Sequence, residues 1–245
     1  MNYAGPLRTL RHVASFDETN LNGRGPFGIM KLHLGCGQRY LDGYVNIDFP
    51  PSEHTVQSES VADHYADLLN LAYPESSVEE VRLHHVFEHF ARHTACALIA
   101  SWQSWLREGG LIRIEVPDLV LTGLAAINPF SSPRRRGIAE RHLFGSHEAH
   151  WASHKEGYGA HQLRELVEAF GFLVDRVKRN SWRGTYNIEL SARKGRNMDR
   201  AMCTQAACTY LAAFLVDESQ AERQLLDTWM DLYSQQIERT WAHAG

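Results

Sequence analysis

The chain lacks the features of several protein classes. Its 245 residues include four cysteines, Cys36, Cys96, Cys203 and Cys208, with no C-x-x-C pair and no spacing typical of a disulfide framework. No apolar run approaches the length of a membrane span, and the amino-terminal residues show no secretory signal pattern. We therefore expect a protein of the reducing cytoplasm with no membrane span.

A strong excess of positive charge is also missing. The net charge is −4, and the longest basic run is Arg134-Arg135-Arg136, which argues against a nucleic-acid partner. This run, which we expect in a loop, has two interpretations: solvated surface charge, or a clamp for an acceptor phosphate or carboxylate, since guanidinium groups bind both bidentately.

Glycine and proline are absent from residues 197–244, where apolar residues recur at helical spacing. This pattern predicts one or two helices, with a break near 217–219, as a C-terminal helical extension. The extension either packs against the rest of the chain or forms a homodimer interface. By contrast, residues 1–28 are rich in glycine and proline, which predicts an N-terminal arm or lid.

Residues 29–196 show apolar runs alternating with helical patterns, which is typical of βαβ units. Helices are expected at 93–107, stopped by Gly109-Gly110, and at 160–170. Only a short turn separates the last two strands, so we expect them to form an antiparallel hairpin at one edge. The prediction is an α/β, doubly wound, Rossmann-like sheet of seven mostly parallel strands, with strands near 29–34, 44–48, 62–67, 81–86, 110–116, 172–179 and 185–193.

One stretch carries most of the functional information. Residues 31–37, Lys-Leu-His-Leu-Gly-Cys-Gly, predict a strand ending in a glycine turn, and Asp48 ends the next strand. Gly35 and Gly37 carry no Cβ, so a ligand can lie directly against the turn. If a helix followed Gly37, its free amides would also face the ligand. A carboxylate at position 48 is suited to bind a ribose diol, so the pattern predicts a nucleoside-type cofactor.

The identity of the cofactor depends on a missing glycine. A dinucleotide fingerprint, G-x-G-x-x-G, requires glycine at position 40, where the chain has Tyr40. The longer pattern, Leu-Gly-Cys-Gly at 34–37 and Gly-Tyr-Val-Asn-Ile-Asp at 43–48, resembles the class I S-adenosylmethionine-dependent methyltransferases. It is most similar to the bacterial branch associated with surface-polysaccharide and glycan assembly. The resemblance implies S-adenosylmethionine as the cofactor.

The resemblance also implies roles for residues further along the chain. Asp67-Leu68 stands where the family binds the adenine, with Asp63 as a rival because the strand register is uncertain. Residues 82–90 resemble the family's H-x-L-E-H-x signature, with Phe87 in place of the usual leucine, and this resemblance places His85 beside the donor methyl. The expected cofactor-binding residues are Gly35, Cys36, Gly37, Asp48, Asp67, Leu68 and His85.

The same segment permits a different interpretation. His85, Glu88 and His89 match the H-x-x-E-H pattern of inverse zinc peptidases. That chemistry requires the pattern to lie within a helix, with a third ligand from elsewhere. Because this pattern starts at a strand end, we expect no metal site, although a zinc-dependent hydrolase remains an alternative function.

Catalytic candidates come from the segment after the fourth strand and from the segments beyond the fifth. Residues 142–161 contain five histidines, and His154 is expected as the general base, with His150 and His89 as alternates. Asp118 follows a strand and is either an acceptor-site residue or a helix N-cap. The resemblance implies O-methylation of a sugar hydroxyl on a surface-glycan or nucleotide-sugar precursor. A module that binds S-adenosylmethionine without transferring methyl is the second alternative.

Overall fold

The computed structural model describes residues 29–56 and 59–241, so the arm or lid expected at 1–28 lies outside the described residues. A seven-stranded sheet organises the fold, in the spatial order β3-β2-β1-β4-β5-β7-β6. All neighbours from β3 to β5 are parallel, whereas β7 is antiparallel to both β5 and β6. The strands are β1 Met30–Leu34, β2 Val45–Asp48, β3 His64–Tyr65, β4 Val78–His84, β5 Leu106–Pro117, β6 Phe172–Trp182 and β7 Thr185–Lys194.

This arrangement confirms the predicted fold class. The sheet is mostly parallel, its last strand is reversed, and the hairpin of β6 and β7 stands at one edge. In the central strands β1, β4 and β5, apolar residues alternate with polar or charged ones, and the apolar side chains are mostly buried. Their core side chains include Leu32, Leu34, Val81, Leu83, Ile112 and Ile114.

Six α-helices accompany the sheet in the described residues: α1 Arg92–Trp105, α2 Leu119–Ile127, α3 Pro133–Phe144, α4 Ala160–Ala169, α5 Arg200–Ala212 and α6 Gln220–Thr240. Every residue of α1 from Ala95 to Trp105 is buried. A helix that is buried on all sides is covered on all sides, and α5 and α6 also pack against α1. No described helix is both long enough and apolar enough to span a membrane.

Two predicted boundaries need correction. Helix α1 ends at Trp105 rather than at 107, because Leu106 is fully buried and already pairs with Val78 in the sheet. Gly109 and Gly110 therefore lie within β5, beside a register shift against β4, and do not stop the helix. Gly109 has φ +67°, a backbone conformation that glycine adopts at little cost.

The expectation that Arg134-Arg135-Arg136 lies in a loop was wrong. These residues form the start of α3, where Ser132 caps the amide of Arg135 and Pro133 occupies the first turn. A serine cap followed by proline is a recognised helix-start signal. The charge run is therefore held on a regular helix.

The C-terminal extension forms two helices, α5 and α6, and residues 213–219 separate them close to the predicted break. The extension packs against the core: Tyr233 and Ile237 of α6 are buried in it, and Trp105 of α1 donates a 2.8 Å hydrogen bond to the carbonyl of Thr240. Of the two alternatives, the structure therefore shows packing on the core, and the homodimer interface stays a prediction.

The burial of α6 predicts a large difference between two substitutions on the same helix. Ile237→Ala should lower the free energy of unfolding by about 2–5 kcal/mol, because it leaves a cavity in the core. Leu232→Ala removes the same kind of side chain at an exposed position and should change it by about 0.5 kcal/mol or less. Urea denaturation of both variants measures this, and equal losses would contradict the packing of α6.

Candidate active site

A cleft of about 950 Å³ opens at the carboxyl edge of the parallel strands. It lies between the loops that follow β1 and β4, which are neighbours in the sheet but not in the chain. Open α/β sheets bind ligands at such a switch point. All seven residues expected to bind the cofactor line this cleft: Gly35, Cys36, Gly37, Asp48, Asp67, Leu68 and His85.

The glycine turn after β1 packs directly on the loop after β4. A Cβ on Gly35 would lie 2.4 Å from Cγ2 of Val86, and the residue has φ +67°. Gly37 also has a positive φ, +54°, but a Cβ added there would meet no other atom within 4 Å. Gly35 is therefore required both for its backbone conformation and for the close approach of the two loops.

Asp48 joins the turn to the second strand. Its Oδ2 accepts a 2.6 Å hydrogen bond from the amide of Gly37, and its Oδ1 accepts one of 2.7 Å from Phe49. No helix follows Gly37 in the structure, and residues 38–44 form turns. The turn therefore offers open space at Gly37 and a fixed carboxylate, rather than the helix amides considered from the sequence.

The structure separates the two aspartates at the third strand. Asp67 lines the cleft and also caps a short 3₁₀ turn, accepting a 2.9 Å hydrogen bond from Leu69. Asp63 instead binds the backbone amide and side-chain amide of Asn46, at 2.8 and 3.0 Å, and does not line the cleft. Asp67 is the one of the two that a cofactor in this cleft could reach.

His85 lies between two carboxylates at the junction of β4 and β5. Its Nδ1 is 3.4 Å from Glu88 and its Nε2 is 3.6 Å from Glu115. Burial disfavours the charged imidazole, but the two carboxylates outweigh it and raise the pKa of His85 to about 9. The same hydrogen-bonded imidazole lowers the pKa of Glu115 to about 2. At neutral pH the site therefore holds a cationic imidazole beside the first cleft.

Of the two carboxylates beside His85, Glu88 is the more deeply buried, at 1% exposed. Burial opposes its ionisation, but the surrounding imidazoles of His85, His89 and His154 hold its pKa below the ordinary value. His89 and His154 stack edge to face, with ring centroids 4.7 Å apart. Burial lowers the pKa of His154, so this ring is neutral near pH 7.

A second cleft, of about 1590 Å³, adjoins the first and shares His84, His85, His89 and Trp151 with it. His154 lines only this second cleft. Its wall is rich in guanidinium groups: Arg39, Arg82, Arg134, Arg141 and Arg183 all line it, against the carboxylates of Glu115, Glu148 and Glu189. Glu115 is already paired with His85.

The other two candidates, Asp118 and His150, do not line the second cleft. Asp118 is the N-cap of α2: its Oδ1 accepts from the amides of Val120 and Leu121, and its Oδ2 lies 2.8 Å from Arg179. It is fully buried and lines neither cleft. His150 lines the first cleft only.

The zinc-peptidase alternative requires His85 and His89 on one face of an α-helix. The structure does not provide one, because His85 has φ +54° and residues 87–89 form a 3₁₀ turn. His85 is instead directed at Glu88 and Glu115. The geometry on which that hydrolase depends is therefore absent from this segment.

Sequence analysis missed three residues that shape the clefts. Trp151 lines both clefts, and its indole donates a 3.0 Å hydrogen bond to the carbonyl of Glu53, a contact across 98 positions that no local pattern reveals. Arg141 lies two turns into α3, which was not expected as a helix. Glu115 had a usable signal, since it lies near the carboxyl end of a central strand.

Comparisons with known proteins place the chain near methyltransferases of known structure. No protein-family model and no curated protein matches it. A Mesorhizobium loti S-adenosylmethionine-dependent methyltransferase aligns at 14% identity over 71% of this chain and 93% of its own, with a TM-score of 0.48. Magnesium protoporphyrin IX methyltransferase from Synechocystis with bound S-adenosylhomocysteine aligns at 17% over 69% and 75%, with a TM-score of 0.45.

A third structure is the 1,6-didemethyltoxoflavin-N1-methyltransferase of Burkholderia thailandensis, with bound S-adenosylhomocysteine. It aligns at 14% identity over 67% of this chain and 70% of its own, with a TM-score of 0.45. These are similarities of fold.

The contact between the two loops predicts unequal effects of two matched substitutions. Gly35→Ala and Gly37→Ala both place alanine at a left-handed position, which costs about 1–2 kcal/mol. Only Gly35→Ala also forces a methyl group into Val86, so it should lose roughly a further 1–3 kcal/mol of unfolding free energy. Urea denaturation measures the difference. Equal losses for the two variants would show that the loops do not meet as described.

Proposed function

We propose that this chain is an S-adenosylmethionine-dependent methyltransferase. One observation carries the proposal: the seven residues that the sequence assigns to a nucleoside-type cofactor, drawn from four separate segments, meet in a single cleft at the sheet's switch point. A nicotinamide dinucleotide fits less well, because its fingerprint glycine is replaced by Tyr40.

The cofactor would lie along the first cleft. In this arrangement Asp48 binds the ribose hydroxyls, and the adenine lies near Asp67 and Leu68. The nucleoside packs against the turn formed by Gly35, Cys36 and Gly37, where the open space at Gly37 leaves room for it. The donor methyl then faces His85, at the boundary with the second cleft.

The acceptor would occupy the second cleft. Its five arginines outnumber its three carboxylates, and His85 adds a positive charge, so the cleft favours an anionic acceptor. A nucleotide-sugar or other phosphorylated glycan precursor supplies both that charge and a hydroxyl group. The resemblance to methyltransferases of surface-polysaccharide assembly favours the same acceptor class, and fold alone does not fix it.

In the transfer step, the acceptor oxygen attacks the methyl carbon in line with the sulfonium sulfur. The new C–O bond forms as the C–S bond breaks, its electron pair remains on sulfur, and S-adenosylhomocysteine leaves. Holding both reactants in this geometry accounts for up to about 7–11 kcal/mol of the barrier. We assign the handling of the hydroxyl proton to His89 and His154, which line the second cleft, and leave out the enclosed Asp118.

A cofactor-binding module without transfer activity is the competing function. Such a module would need the first cleft alone. The adjoining cleft, with imidazoles at the junction and guanidinium groups beyond it, favours an enzyme.

A substitution in each cleft should separate cofactor binding from methyl transfer. Asp48→Asn removes the charged acceptor for the ribose and should weaken S-adenosylhomocysteine binding roughly tenfold to a hundredfold. His154→Ala should lower kcat at nearly constant cofactor affinity. Isothermal titration calorimetry measures the affinities, with Asp42→Asn, on the exposed turn before β2, as the control. Unchanged affinity in the Asp48 variant would remove the ribose assignment.

Charge reversal on α3 tests the acceptor cleft. Arg134→Glu should raise the acceptor KM and leave the affinity for S-adenosylhomocysteine unchanged, because Arg134 lines only the second cleft. Arg136→Glu makes the same change on the same helix at a residue that does not line the cleft. Radiolabelled methyl transfer to a panel of nucleotide-sugars identifies the acceptor and gives its KM for each variant. Equal KM values for the two variants would contradict an anionic acceptor site.

A further inference from the structure

We propose that Glu88, His89 and His154 together bind one divalent transition-metal ion. Each residue offers one ligand atom, and the three atoms lie within 4.8 Å of one another. The set differs from the H-x-x-E-H pattern in the sequence: His154, from the loop before α4, replaces His85. The backbone joins the two segments, since the amides of Lys155 and Glu156 both donate to the carbonyl of Glu88.

Both histidines are oriented as metal ligands usually are. Nδ1 of His89 is 3.3 Å from the carbonyl of Ser153, and Nδ1 of His154 is 3.1 Å from that of Leu143. A carbonyl can only accept, so each Nδ1 carries the proton and each Nε2 keeps its lone pair. Metal-binding histidines typically donate their second nitrogen to a carbonyl or carboxylate in this way.

Glu88 supplies the independent observation. Its side chain is 1% exposed, and neither carboxylate oxygen has a hydrogen-bond partner among the described residues. The nearest groups are Nδ1 of His85 at 3.4 Å and Nε2 of His154 at 3.8 Å. A buried carboxylate without hydrogen bonds is costly, and the His85 imidazole at 3.4 Å offsets only part of this cost because it is shared with Glu115. His85 retains Glu115 as a partner when Glu88 binds an ion.

Two imidazoles and one carboxylate are ligands that Zn²⁺ accepts, and three protein ligands leave a coordination position open. The site lies at the junction of the two clefts, since His89 lines both. A role for the ion in binding the acceptor oxygen rests on the proposed methyl transfer, and with the ion bound His89 and His154 act as its ligands and do not take the hydroxyl proton. Binding of the ion itself does not depend on that function.

The test uses the full chain without an affinity tag, freed of metal by a chelator that is then removed. Titration with zinc chloride should show one site per chain. Glu88→Gln, His89→Asn and His154→Asn should each weaken binding by more than the roughly 10–100-fold that loss of an outer-shell partner costs. His161→Asn is the matched control, because His161 pairs with Glu165 at 3.0 Å on the exposed face of α4.

Circular dichroism melts identify variants that fail to fold. Because three ligand positions are substituted separately, the test still works if one variant does not fold. Wild-type zinc affinity in folded variants at two of the three positions, or no stoichiometric binding to the wild type, overturns the proposal. Titration with S-adenosylhomocysteine separates the two proposals. If S-adenosylhomocysteine binds and the wild type shows no stoichiometric zinc site, the metal site fails and the methyltransferase stands. If zinc binds at one site per chain and S-adenosylhomocysteine does not bind, the reverse holds.

Discussion

The close approach of the loops after β1 and β4 is the constraint on which the rest of the site depends. These loops leave adjacent strands in opposite directions along the sheet, and Gly35 lets them touch at Val86. The contact fixes Gly37 so that its amide meets Asp48 at 2.6 Å. It also places His85, the residue before Val86, at the wall of the same cleft. One missing side chain therefore positions the groups proposed to hold the ribose and to face the donor methyl.

Buried charged side chains cluster around His85, next to the contact between the two loops. Glu88 and Glu115 lie on either side of His85, and His85 adopts a left-handed backbone conformation that its side chain does not favour. The amide of His85 donates to the carbonyl of Glu115 at 2.8 Å, which holds the backbone in place. Strain and buried charge in one loop cost stability, and they are typical of functional sites. The rest of the core, which is apolar and closely covered by α1, α5 and α6, provides the rigid support.

The sequence predicted the sheet well because its signals are local. Each central strand carries apolar residues at alternate positions, and the short turn before Thr185 indicated the antiparallel hairpin. The end of α1 was misplaced because burial of Leu106 against β4 outweighed the glycine signal three residues later. Helix α3 was missed because its arginines suggested a solvated loop, although Ser132 and Pro133 marked its start.

The candidate site was predictable only in part, because some of its contacts join segments that are far apart in the chain. Gly35, Gly37, Asp48 and Asp67 each end a strand or turn, so strand order alone brings them together. The group at Glu88 and His154 joins segments 66 positions apart through hydrogen bonds from Lys155 and Glu156, which no periodicity records. The sequence identified the histidines of residues 142–161 as a set of candidates. Which of them face a buried carboxylate is a property of the folded chain.

A crystal structure of the protein with S-adenosylhomocysteine tests the central claim most directly. The account predicts the ribose hydroxyls within hydrogen-bonding distance of Asp48, the adenine beside Asp67 and Leu68, and the sulfur facing His85. A nucleoside bound outside this cleft, or a cleft that remains closed at saturating ligand, would contradict it.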